Sequence, residues 1–244
     1  MSSTYINKLG STLDGEYTQK HKVFTPLRVY SEYSLLTSCI KYSNAIEYCK
    51  ENNINTIAVA DENNMFGILP WSLAMQDAGI KPIIGSSIVV AITDENKKSH
   101  IWVYCKTYDG YISLSNLMSK SYLEHEGKLP ITKINELKHC VMLIDHEFSD
   151  QEIEYIAKNK DKSCDFGIAI SRQKADADYE NRLFSISNKL DLPIVAAPKF
   201  YCTKPEHMLA LDAMWCIKNN TYLAEVDRAK APVDGCFFFI RTSN

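Results

Sequence analysis

The chain has 244 residues, 45% of them hydrophobic and 23% charged, enough to build one large globular domain or two small ones. Its formal net charge of −3 excludes a basic nucleic-acid-binding module, which would carry a clear positive excess. None of the eight cysteines forms a C-x-x-C pair, which excludes a zinc ribbon or a thioredoxin motif and points to free, buried thiols in a reducing cytoplasm.

Residues 1–23 are polar, rich in hydroxyls and free of an apolar stretch that would mark a signal peptide; they are expected to form a flexible extension. From Phe24 onward, short β-rich runs alternate with amphipathic helical stretches. The predicted strands are Leu27–Tyr30, Thr56–Ala60, Pro82–Ile92, His100–Cys105, Val141–Asp145, Phe166–Ser171 and Pro193–Ala197. Most are unbroken apolar runs, such as "TIAVA", as expected of strands covered on both faces.

Helices are predicted between them. Ser43 is placed to cap "NAIEYCKENN", and Pro70 sits early in "LPWSLAMQDAG", whose Gly79 ends the helix. The segments "YDGYISLSNLMSKSYL", "DQEIEYIAKNK", "DADYENRLFSISNKL" and "KPEHMLALDAMWCIKNN" follow. About seven β-then-α units result, which implies an α/β fold with a parallel sheet, either barrel or doubly wound. No apolar run approaches the length of a membrane span. The apolar C-terminal "VDGCFFFIRTSN" is expected either to pack back as a last strand or to mark a cut from a longer chain.

In both architectures the ligand sites collect at the C-terminal ends of strands. Those ends offer Arg28 and Tyr30, then Asp61 and Glu62, Ser86 and Ser87, the run Asp145–His146–Glu147, and finally Lys199 and Tyr201, with His100 opening the fourth strand. Asp61, Glu62, His100 and His146 are possible metal ligands, although a single histidine at a strand edge is more often structural. His21, His125, His139 and His207 lie in the leader, loops or a helix and read as incidental. Phosphate-binding glycine loops and a G-x-S-x-G elbow are both absent.

The stretches "FTPLRVYSEYSLLTS", "AVADENNMFGILPWSLAMQDAGIKPIIGSSIVV", "HIWVYCKTYDGYISLSNLMSKSY" and "LPIVAAPKFYC" resemble the PHP (polymerase and histidinol phosphatase) domain of the bacterial DNA polymerase III alpha subunit over residues 24–244. That resemblance implies a distorted, TIM-like barrel of seven β/α units. It also implies a chain cut from a longer polymerase, without the polymerase core and its magnesium-dependent active site. Intact family members hold a metal cluster on up to nine ligands at the strand ends, and some are metal-dependent exonucleases or phosphoesterases.

Here the family's His-x-His is replaced by Arg28 and Tyr30, its Asp by Thr37, its Glu by Ser87 and its final Asp-x-His by Lys199 and Tyr201. Asp61, Glu62, His100 and His146 are the vestigial ligand positions. The implied role is a scaffold without catalytic residues or cofactor of its own, docking the proofreading exonuclease subunit and meeting DNA only through the full polymerase. The alternative is a residual zinc- or manganese-dependent phosphoesterase or 3′–5′ exonuclease on Asp61, His100 and His146. An arginine is charged at any usable pH and repels a divalent ion. Arg28 and Lys199 are therefore expected to pair with Asp61, Glu62 or both, Arg28 with Asp61 in particular.

Overall fold

The structure is a computed structural model and describes residues 25–92, 99–171, 177–228 and 230–231. The expectations for the N-terminal extension and for the apolar C-terminal run fall outside them.

All seven predicted strands form, within a residue or two of the expected bounds: β1 (Arg28–Val29), β2 (Thr56–Glu62), β3 (Lys81–Ala91), β4 (Ser99–Cys105), β6 (Cys140–Ile144), β7 (Asp165–Ile170) and β8 (Ile194–Ala196). Two short strands are additional, β5 (Leu129–Pro130) and β9 (Lys199–Phe200). The helices are α1 (Tyr42–Glu51), α2 (Ile68–Asp77), α3 (Tyr108–His125), α4 (Asp150–Asn159), α5 (Ala177–Leu190) and α6 (Met208–Asn219). Among the described residues, no helix is long and apolar enough to cross a membrane.

The main sheet runs β2-β3-β4-β6-β7-β8, and β5 prolongs the β2 side of β3. β9 follows β8 after two residues and pairs in parallel with β1, Arg28 opposite Lys199. The Ala58 amide donates to Pro26 O and the Ala197 amide to Ile170 O, tying this small sheet to β2 at one side and β7 at the other. The result is a distorted barrel with helices outside.

Seven uniform β-then-α units are not what forms. β4 runs antiparallel to both β3 and β6. Only residues 92–98 separate β3 from β4, too few for the crossover that a parallel pair requires. The reversal brings the start of β4, with His100, to the barrel end where the parallel strands finish. The Ser43 cap also fails: α1 starts after Lys41 without a side-chain cap, and Ser43 Oγ lies 3.2 Å from Asn44 Oδ1. Gly79 ends α2 as expected, at a φ of 74° that other residues disfavour.

Strand side chains alternate between two faces. Outward residues pack under the helices: Ile57 and Val59 against α1 and α2, Ile101, Val103, Met142, Ile144 and Ile168 against α3, α4 and α5. Inward ones form a separate interior cluster, in which Ala58, Ala60, Ala169 and Ala197 surround Tyr30, Trp102, Tyr104 and Leu143. Small residues on the other strands leave room for three aromatic rings in the barrel.

Candidate functional site

The same alternation fixes what reaches the barrel mouth. Arg28 and Tyr30 on β1, Ser87 on β3, His100 and Trp102 on β4, and Lys199 and Tyr201 around β9 share the inward parity of the alanines. Two residues beyond Leu143 it selects Asp145, and Glu147 follows. Asp61, one residue after inward Ala60, has outward parity.

Arg28 is 1% exposed. Its Nη1 donates to Asp145 Oδ2 at 2.7 Å and its Nε to the Ala197 carbonyl. Lys199 Nζ stands 3.3 Å from the same Asp145 oxygen and 3.0 Å from Glu147 Oε1. His100 completes the group through its backbone amide, 2.9 Å from Glu147 Oε2, and its Nδ1, 3.2 Å from that oxygen. Two cations thus face two carboxylates. Beneath them lies the Trp102 ring, 4.5 Å from the Arg28 guanidinium carbon and 4.8 Å from Lys199 Nζ, both cations bearing on its electron-rich face.

Tyr30 and Tyr201 stack beside this group with ring centroids 4.9 Å apart. Trp102 Nε1 donates to the Tyr30 hydroxyl at 2.8 Å, and Ser87 Oγ lies 3.5 Å from it. Burial pushes the Tyr30 phenol above its ordinary range, which keeps it neutral.

The expected pairing of Arg28 and Lys199 with Asp61, Glu62 or both, Arg28 with Asp61 in particular, does not form. Buried Asp61 is saturated by hydroxyls and an amide instead: the Ser31 amide and Oγ donate to it at 2.7 Å each, and Ser34 Oγ at 2.6 Å. Burial raises its pKa against the pull of these hydrogen bonds from Ser34 and Ser31. Glu62 turns to the rim, where Thr37 Oγ1 lies at 3.3 Å and Lys218 Nζ, from α6, at 3.4 Å. His146 is half-exposed against the ring of Tyr179, centroids 4.9 Å apart, and its Nδ1 is 3.9 Å from Asp145 Oδ1. Among the described residues, no three His, Cys, Asp or Glu side chains converge as a metal-ligand set.

Sequence reasoning placed Asp145 and Glu147 at a strand end but gave them no role, and it missed Trp102 and Lys218 altogether. Counting alternate residues back from Asp145 to Leu143 would have found the first. Nothing local to Lys218 announces a bridge between α6 and β2.

Burial alone would raise the Glu147 carboxyl, but the His100 hydrogen bond and the charge of Lys199 hold it well below the usual carboxylate range. Lys199 also loses solvent, yet Asp145, Tyr30 and Glu147 raise its pKa above the ordinary 10.5. A depressed carboxylate stabilises the fold fully above its unfolded value, here 4.5, and that contribution disappears as pH falls toward the folded value. Glu147→Gln should therefore be less stable than the parent chain at neutral pH, with the gap closing below about pH 4.5. Urea midpoints measured across that range check this; a gap that widens on acidification would contradict it. Asp61 contributes with the opposite sign, its raised pKa favouring the fold as pH drops, which makes the substitution comparison more informative than the bare pH profile.

A family model described as the PHP domain matches residues 26–189. The chain is 30% identical over 234 residues to a DNA polymerase III subunit alpha of Borreliella burgdorferi, covering 85% of this chain and 20% of that protein. It is 28% identical over 239 residues to the subunit of the same name from Caulobacter vibrioides, covering 88% of this chain and 21% of that one. The chain therefore spans about a fifth of the length of these curated relatives. Among solved structures, an amidohydrolase from Chromobacterium violaceum superposes with a TM-score of 0.53 at 11% identity, over 72% of this chain and 87% of that one. A protein described as a metal-dependent phosphoesterase from Bifidobacterium adolescentis gives 0.51 at 11% identity, over 71% and 86%. At that identity the likeness is one of fold.

Proposed function

Because the chain belongs to the PHP domain family, we propose that it serves as the PHP domain of a DNA polymerase III alpha subunit, with a barrel mouth closed by ion pairs at the positions where the family resemblance implies metal ligands. In this reading the domain contributes no catalysis. It supports the polymerase core and docks the proofreading exonuclease subunit, and DNA is met through the whole polymerase. The supporting observation is the quartet formed by buried Arg28 and Asp145 with half-buried Lys199 and Glu147.

The donor set at the mouth does not fit a metal cluster. Divalent ions need carboxylates and neutral imidazoles free to bind. Here Asp145 and Glu147 already face two cations, His100 is engaged with Glu147, and Asp61 accepts three hydrogen bonds from serine residues. A divalent ion among them would be repelled by Arg28, which stays charged, and by Lys199. A residual phosphoesterase on Asp61, His100 and His146 is the competing reading. Those three side chains are held by separate partners: Asp61 by Ser31 and Ser34, His100 by Glu147, and His146 against the Tyr179 ring.

Docking is tested by passing the domain, and in parallel the full alpha subunit, over the immobilised proofreading subunit of the same organism. Retention of both supports the reading. Loss of both would remove the docking role.

A further inference from the structure

At the barrel end opposite the ion-pair mouth, three cysteines from different strands gather on the outer face. Cys105 ends β4, Cys140 begins β6, and Cys164 immediately precedes β7. Cys105 and Cys140 are direct partners in the antiparallel β4–β6 ladder.

Their position in the ladder can be fixed further. The Lys106 amide donates to the His139 carbonyl at 2.9 Å, so Lys106 and His139 form a hydrogen-bonded pair. Hydrogen-bonded and non-hydrogen-bonded pairs alternate along an antiparallel ladder. Cys105 and Cys140, one step along, therefore occupy a non-hydrogen-bonded site. Such sites bring opposite Cα atoms to about 4.5 Å, with side chains on the same face and close together. That lies at the short end of the Cα separations of about 4.4–6.8 Å that a disulfide spans.

From this geometry we infer that Cys105 and Cys140 form a reversible cross-strand disulfide under a peroxide oxidant. The two thiols differ in the way such chemistry requires. Cys105 is partly exposed, and the neighbouring Cys140 thiol lowers its pKa. Cys140 is buried, its thiol donates to the Lys138 carbonyl at 3.2 Å, and adjacent Cys105 pushes its pKa up to about 12. Cys105 is then the attacking thiolate and Cys140 the resolving thiol.

In the first step the Cys105 sulfur attacks one peroxide oxygen, the O–O bond breaks, and a sulfenic acid and water result. In the second, the Cys140 sulfur displaces the hydroxyl, which leaves as water with the thiol proton. Two thiols and one hydrogen peroxide thus give one disulfide and two waters. A disulfide held at the short limit of separation is strained, and strained bonds are the readily reduced ones. The bond is therefore a reversible modification rather than a permanent brace. Cys164, whose thiol donates to Leu137 O at 3.3 Å, lies beside Cys140 as an exchange partner.

The test is hydrogen peroxide treatment of the 244-residue protein, followed by alkylation and mass mapping of the native digest. A cross-linked Cys105–Cys140 peptide that dithiothreitol removes is expected. It should persist in Cys164→Ser and be lost in Cys140→Ser, where Cys105 should instead be trapped as sulfenic acid by dimedone. Cys105 that stays fully alkylatable while other cysteines oxidise would overturn the proposal. So would a linkage confined to Cys39 and Cys202, another neighbouring thiol pair among the described residues.

Discussion

Asp145→Ala should lower the unfolding free energy by about 3–5 kcal/mol, the cost of leaving one member of a buried ion pair uncompensated. Arg28 is 1% exposed and would keep only the Ala197 carbonyl as a polar partner for its guanidinium among the contacts described above. For a domain of this size the loss corresponds to a fall in Tm of roughly 6–20 °C, out of a total stability of about 5–15 kcal/mol. The double variant Arg28→Met/Asp145→Leu should recover most of it, since replacing both members of a buried pair with apolar groups is often close to neutral. A double-mutant cycle separates this account from the expected Arg28–Asp61 pairing. Coupling between Arg28 and Asp145 should fall within about 0.5–3 kcal/mol, and coupling between Arg28 and Asp61 near zero. The reverse result would place Arg28 against the wrong carboxylate.

Trp102→Ala should cost a comparable amount, about 3–5 kcal/mol from the cavity alone. Trp102 is completely buried inside the barrel, underlies both cations and donates to the Tyr30 hydroxyl at 2.8 Å. Trp102→Phe keeps an aromatic face under Arg28 and Lys199 but removes the indole donor. It should cost about 1–3 kcal/mol, in the range of a buried hydroxyl losing its partner. Circular dichroism during urea unfolding reads both variants without relying on tryptophan emission. Equal losses for the two would mean that the ring's face contributes nothing and that the hydrogen bond to Tyr30 carries the effect.

The strands and most helix bounds were legible because parallel strands are written as unbroken apolar runs; "TIAVA" is such a run and is buried, whereas "PIVAA" reads the same way although β8 is only partly covered. Their finer grain was legible too but went unread. "TIAVA" places branched residues at Ile57 and Val59 and alanines at Ala58 and Ala60, and the alanines face the interior. Carried one residue further, that alternation turns Asp61 outward, which excludes it as the partner of Arg28. Residue types that depart from the family pattern singled out Arg28, Tyr30, Lys199 and Tyr201, and the fold brings these four together around Trp102 and its neighbours. The antiparallel course of β4 was readable only from the short β3–β4 link, and the Lys218–Glu62 contact rests on tertiary packing of α6 that no local pattern encodes.

The central claim is that protein cations stand at the mouth in place of metal ions. It is tested most directly by measuring the metal content of the protein after dialysis against zinc and manganese, together with its Tm with and without a chelator. The account predicts far less than one ion per chain and a Tm indifferent to the chelator. One or more ions retained per chain, with a Tm that falls when they are removed, would contradict it.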